Sequence, residues 1–85
     1  MVSETRCISA IARIAEGRKK WRVAVETWPS AAAYEGRLIF VAEDEVAPPA
    51  LEGPITLHGD TREDVLRAGH EVPEDRLRAL LRSLV

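Results

Sequence analysis

The sequence is poor in cysteine and aromatic residues, and it has no long hydrophobic run. Cys7 is the only cysteine among 85 residues, which excludes an intramolecular disulfide and suits a reducing cytoplasm. Aromatic residues make up 5% of the chain, so the core must be built mainly from Val, Ile, Leu and Ala. No apolar stretch approaches the roughly 20 residues of a membrane-spanning helix, and no signal peptide is visible. We therefore expect a small cytoplasmic protein.

Motifs that carry chemistry are also missing. No glycine-rich nucleotide-binding loop, H-x-x-x-H pattern or C-x-x-C pattern is present. The most enzyme-like group is His58, Asp60, Asp64 and His70, which could hold a metal or form an acid–base pair. Capping and helix-dipole interactions explain the two aspartates without any such role. We expect no catalytic residues, no metal and no cofactor.

Size and composition indicate one small globular domain over residues 1–85. Hydrophobic residues make up 46% of the chain and charged residues 31%, which argues against disorder. A chain this short buries only about 60% of the surface that its unfolded form exposes. Because a thin core gains from a second copy, we expect a homodimer.

Charge is distributed unevenly along the chain, although the net charge is only −2. Residues 1–40 contain seven basic and four acidic residues, whereas residues 41–85 contain five and ten. The basic cluster lies around Trp21, and Trp28 points to the opposite face from Trp21. The candidate partner contacts are Arg18, Lys19, Lys20, Arg22 and Trp28. Such a cluster could hold phosphates of a nucleic acid, but a solvated hairpin tip is the default explanation.

The first forty residues favour strands. Residues 5–16 fit a strand with Ile8 and Ile14 on one face, or a helix with Ser3 as N-cap; the isoleucines favour the strand. A hairpin loop at Gly17 leads into a strand at residues 21–27, which alternates well. Residues 30–36 are expected to form a loop.

The central part contains two further strands. Residues 37–42 carry a non-alternating apolar run, which is typical of a strand covered on both faces or of a dimer contact. The prolines of residues 46–54 predict a connection without regular structure through most of its length. Residues 55–58 form a short strand.

Two helices are expected at the C-terminal end. Asp60 is the expected N-cap of the first helix, with Glu63 completing a capping box and Thr61 as an alternative cap. That helix ends near Ala68, and Gly69 suits a left-handed C′ position. The last helix starts at residues 72–75, and its leucines recur at i, i+3, i+4 and i+7.

Three segments give the chain a partial resemblance to HicB-like antitoxin modules. Residues 8–17 (ISAIARIAEG) and 21–26 (WRVAVE) resemble their opening hairpin, and residues 56–66 (TLHGDTREDVL) resemble their strand-to-helix segment. The resemblance implies an antitoxin-like regulator that neutralises an RNA-cleaving toxin. The strand at residues 37–42 and the C-terminal leucine helix depart from that pattern.

Together these features predict an α+β fold of two layers. A mostly antiparallel sheet of three or four strands is covered on one face by two C-terminal helices. The expected core comprises Ile8, Ile14, Trp21, Val23, Val25, Leu38, Phe40, Ile55, Leu57, Val65, Leu66, Leu77, Leu80, Leu81 and Leu84. The expected function is a non-catalytic, bacterial-type protein-interaction module; the alternative is a nucleic-acid-binding or antitoxin-like regulator.

Overall fold

A computed structural model of the chain describes residues 6–31 and 33–85. Within them the chain forms four antiparallel strands and two helices: β1 (Cys7–Glu16), β2 (Lys19–Pro29), β3 (Tyr34–Ala42), β4 (Leu51–Gly59), α1 (Arg62–His70) and α2 (Glu74–Leu84). The strands are hydrogen-bonded in sequence order, and the helices pack together on one face of the sheet. The predicted two-layer α+β fold is confirmed.

The first hairpin has the predicted strand–turn–strand form. β1 pairs with β2 up to Glu16 and Lys19, so Gly17 and Arg18 alone make the turn. Gly17 has a φ of +65°, a left-handed conformation that glycine adopts without steric cost. Ser3 and Thr5, at the predicted start of this segment, lie outside the described residues.

A bulge in β1 makes one core assignment wrong. The β1–β2 register shifts between Ala10 and Ala12, so one extra residue enters the strand and the alternation of faces is reversed there. Ile14 is buried, whereas Ile8 lies on the opposite face and is 65% exposed. Ile8 is therefore not part of the core.

β3 and β4 are both longer than predicted. β3 begins at Tyr34, so the preceding loop is shorter than residues 30–36; Ala32 in that loop lies outside the described residues. β4 begins at Leu51 and contains Pro54. A proline is tolerated there because β4 is an edge strand, where a missing N–H need not break the ladder.

The ends of α1 differ from the predicted ones. Thr61, not Asp60, is the N-cap, and its hydroxyl accepts a hydrogen bond of 3.1 Å from the Asp64 amide. The helix continues to His70, so Gly69 is inside it. A Cβ at Gly69 would lie 2.5 Å from Cγ2 of Val25, so this glycine lets the helix pack closely against the sheet.

The core lies between the sheet and the helices. Most of the predicted core is buried; Ile55, Leu57, Leu66, Leu80 and Leu84 are partly buried and pack against it. Of the α2 leucines, Leu81 is fully buried and Leu77 nearly so, because these two point directly at the sheet. Among the described residues, the fully buried large side chains are Val23, Val25, Thr27, Leu38, Phe40, Val65 and Leu81.

Candidate interaction surface

The face of the sheet opposite the helices is built by residues that alternate with the core positions. Residues that pair across neighbouring strands lie on the same face of the sheet. The strand register therefore identifies the residues of the uncovered face. We call this surface the open face. It comprises Ile8, Ala10, Arg13, Ala15, Lys20, Arg22, Ala24, Glu26, Trp28, Glu35, Arg37, Ile39, Val41, Glu52, Thr56 and His58.

The centre of the open face is apolar. Ala10, Ala24 and Ile39 lie in one row across β1, β2 and β3. Ala24 and Ile39 are each only 6% exposed, since longer side chains around them shield them from solvent. Ile8 lies beside this row and is 65% exposed. An apolar centre within a charged surround is typical of a contact surface.

A network of ion pairs borders this centre toward the Trp28 end of β2 and extends to β4. Nε of Arg37 lies 3.0 Å from Oε1 of Glu26, and its Nη1 lies 2.8 Å from Oε2 of Glu52. Arg6 also approaches Glu26, at 3.6 Å. These pairs order the long side chains on a solvent-facing sheet, where a single exposed pair contributes little to stability.

Trp28 lies between two arginines at the end of β2. The guanidinium carbon of Arg6 is 4.7 Å from the ring centroid and that of Arg37 is 5.1 Å away. Each contact is a cation–π interaction worth about 0.5–1 kcal/mol at an exposed site. The predicted orientation of Trp28, opposite to Trp21, is confirmed, and the arginines leave its ring half-buried.

The β1–β2 turn carries the basic cluster together with acidic partners. Nε of Arg13 donates to Oε2 of Glu43 at 2.8 Å and its Nη2 donates to Oε1. These hydrogen bonds, with smaller effects from the charges of Arg22 and Lys20, hold the pKa of the Glu43 carboxyl below its usual value. Acidic side chains therefore reduce the positive field at this end of the sheet.

The predicted contact residues do not form one cluster. Lys20, Arg22 and Trp28 share the open face, but Arg22 and Trp28 are about 20 Å apart along β2, since a strand rises about 3.3 Å per residue. Lys19 points to the opposite face, where its Nζ lies 3.8 Å from Oε2 of Glu45. Arg18 occupies the turn.

Sequence reasoning missed Arg6 and Arg37, the two arginines that contact the ring of Trp28. In the β2–β3 register, Trp28 lies opposite Glu35 and Glu26 lies opposite Arg37. Arg37 is therefore the diagonal cross-strand neighbour of Trp28 on the open face. Only the register between the two strands brings these side chains together. Alternation within a single strand predicts the face of each residue but not its neighbour on the next strand.

The enzyme-like group is also divided by the fold. His58 Nδ1 lies 3.6 Å from Oε2 of Glu35, and both line an open hollow of about 620 Å³ with Asp60 and Asp64. His70 is at the other end of α1. Within residues 6–31 and 33–85, no three His, Cys, Asp or Glu side chains are grouped closely enough to hold a metal ion.

Comparison of the chain with protein-family models, with curated proteins and with solved structures gives no match. Among the described residues, neither helix has the length and apolar character needed to cross a membrane. The function must therefore be argued from the open face itself.

Proposed function

We propose that this protein is a small, non-catalytic interaction module of the cytoplasm that forms a homodimer through its open face. The observation that carries the proposal is the apolar row of Ala10, Ala24 and Ile39 beside the exposed Ile8. No element of the described chain packs over this row. A second copy would remove the exposed Ile8 and Ala10 from water, beside Ala24 and Ile39, which are already almost buried.

The size of the face supports a dimer of modest affinity. With strands about 4.8 Å apart and about 30 Å long, the face covers roughly 550 Å² in projection. The accessible surface is larger than the projection because the side chains stand out from the sheet. A standard interface buries about 800 Å² per partner, so we expect dimers at about micromolar concentrations.

The charges on the face favour a second copy in one orientation. Within the described residues, Lys20 and Arg22 near the β1–β2 turn make no ion pair, and at the opposite end Glu35 meets only His58. A two-fold axis across the strands, through the row of Ala24 and Ile39, would place Lys20 of each copy near Glu35 of the other. Such complementarity aligns a symmetric interface and raises the association rate.

Sedimentation velocity over a concentration series tests the proposal. The wild type should shift from the 9.4 kDa chain to twice that mass. Ile8→Lys should remain monomeric, because it would replace an exposed apolar contact by a hydrated charge that association would have to bury. Val46→Lys is the matched control, since Val46 is 99% exposed and outside the sheet. A wild type that remains monomeric at millimolar concentration overturns the proposal.

A charge exchange tests the orientation. Lys20→Glu and Glu35→Lys should each weaken the dimer, and the double variant should regain most of the affinity. An equal loss in all three variants would leave dimerisation standing and exclude this two-fold arrangement.

The alternative is a nucleic-acid-binding or antitoxin-like regulator. The observation that favours it is that Arg18, Lys20 and Arg22 make no ion pair within the described residues. A mobility shift that weakens with salt and disappears when Arg18 and Arg22 are changed to glutamine would support it. No binding at low salt would exclude it.

A further inference from the structure

The two edges of the sheet differ in how well they are protected. An edge strand exposes unpaired backbone groups that a further strand can use, and natural proteins commonly block such edges. On β4, Pro54 supplies no N–H, and the pairing with β3 is irregular opposite residues 53–55. β1 contains no proline and no lysine. The β1 edge is therefore the better template for an added strand.

Only the second half of the β1 edge is covered. Arg78 donates from Nε to the carbonyl oxygen of Ala15 at 3.0 Å, and Arg82 reaches Glu16 at the same distance. Both arginines come from α2. In the first half, residues 7–10, no side chain of the described chain bonds to the backbone. The bulge between Ala10 and Ala12 separates the two halves.

Arg62 lies beside this uncovered half and has no carboxylate partner among residues 6–31 and 33–85. Its Nη2 donates to the hydroxyl of Ser9 at 2.9 Å, and its Nε is buried without a hydrogen-bond partner. The two α2 arginines that reach β1 each hold an acid as well: Arg78 pairs with Glu74 and Arg82 with Glu16. Arg62 makes no ion pair with a described residue, although arginine forks pair best with carboxylates.

We propose that residues 7–10 of β1 bind an extended acidic segment of a partner protein as a fifth strand, with a carboxylate of that segment paired to Arg62. Successive side chains of a strand point to opposite faces. On the helix side the added strand would lie near Ser9 and Arg62, which requires an acid. On the other side it would lie beside Ile8 and Ala10, both exposed, which favours apolar side chains.

The segment should therefore alternate acidic and apolar residues. Backbone hydrogen bonds would supply affinity, and the alternate side chains would supply specificity. This site uses the backbone edge of β1 but shares Ile8 and Ala10 with the open face, so peptide binding is measured at protein concentrations at which the chain is monomeric.

A short fluorescein-labelled peptide of alternating valine and glutamate tests the proposal by fluorescence anisotropy. We expect saturable binding that weakens about tenfold when the glutamates become glutamines, and again when alternate peptide nitrogens are methylated on the pairing edge. Arg62→Gln should weaken binding similarly. Arg76→Gln is the matched control, because Arg76 is exposed and its side chain makes no hydrogen bond or ion pair with the described residues.

Amide hydrogen exchange locates the bound peptide without any substitution in the protein. Binding should slow exchange at residues 7–10 and leave the β4 amides unchanged. The proposal is overturned by absence of binding, by equal binding of a valine–lysine peptide, by insensitivity to N-methylation, or by protection elsewhere. It is also overturned if Arg62→Gln binds as tightly as Arg76→Gln.

Discussion

The two faces of the sheet are built from the same four strands but are stabilised in different ways. On the covered face, Val23, Val25, Leu38 and Phe40 are fully buried under the helices. On the open face, a narrow apolar row is followed toward the end of β2 by arginine–glutamate pairs and then by a tryptophan flanked by two guanidinium groups. Burial of apolar area contributes about 25 cal/mol per Å², whereas exposed ion pairs contribute about 0–1 kcal/mol each.

Because stability comes mainly from the covered face, we predict that substitutions on the two faces have different effects. Substitutions on the covered face should lower the stability of the monomer. Substitutions on the open face should change stability little and association strongly. The following variants test that separation.

The largest effect should come from Leu81→Ala. Leu81 is fully buried, and its loss would leave a cavity beneath α2, so we expect a loss of about 2–5 kcal/mol in the free energy of unfolding. Leu80→Ala is the matched control, because Leu80 is partly buried and should cost less. Urea unfolding monitored by circular dichroism measures both, and equal losses would contradict the described packing of α2.

Gly69→Ala should destabilise the protein although alanine is the better helix former. The new Cβ would clash with Val25 and displace α1, a cost of about 1–3 kcal/mol. The gain in helix propensity of about 1 kcal/mol offsets part of that cost. Ala79→Gly, at an exposed α2 position, gives the propensity effect alone. Thermal unfolding compares them, and stabilisation by Gly69→Ala would contradict the close packing of α1.

The two tryptophans allow a direct comparison of the faces. Trp28→Leu removes two cation–π contacts and should cost about 1 kcal/mol in monomer stability. Trp21→Leu, on the covered face where Trp21 is 7% exposed, should cost about 2–3 kcal/mol. Urea unfolding at low protein concentration measures the loss of monomer stability in each variant. A larger loss for Trp28→Leu would contradict the assignment of stability to the covered face.

The smallest effect should come from the pair of Arg13 and Glu43, and it should depend on pH. The pKa of Glu43 is lowered in the folded protein, so its contribution is present above the unfolded value of about 4.3 and is lost as pH falls through the folded value. Wild type should therefore exceed Glu43→Gln in stability near neutral pH, and the difference should shrink below about pH 4. Denaturant melts at several pH values measure this. A stability difference between wild type and Glu43→Gln that grows as the pH falls would contradict the lowered pKa of Glu43.

Most of the fold could be predicted from local patterns. Strict alternation placed Trp21, Val23 and Val25 on one face because β2 is regular throughout, and the leucine spacing gave α2. The bulge that exposes Ile8 could not be predicted, since it depends on the pairing of β1 with β2 and leaves no local signal. The start of β4 was predicted too late because Pro54 argues against a strand. A proline is excluded from central strands but is tolerated in an edge strand such as β4.

The candidate surface was less accessible to sequence reasoning than the fold. The basic residues around the first turn stand out as a run in the sequence. The contacts of Trp28 with Arg6 and Arg37 join residues that only sheet register brings together. The sequence also could not decide between Asp60 and Thr61 as N-cap, because both residue types are favoured at that position. The backbone geometry decides it.

Isotope-filtered NOE spectroscopy on a mixed labelled and unlabelled sample would detect contacts between two copies across the open face. At concentrations where the mass doubles, we expect intermolecular cross-peaks between the methyl groups of Ile39 and Ala24, and between Lys20 and the ring of Trp28. Cross-peaks confined to the helix side, or none from the open face at those concentrations, would contradict the claim that the open face is the interface.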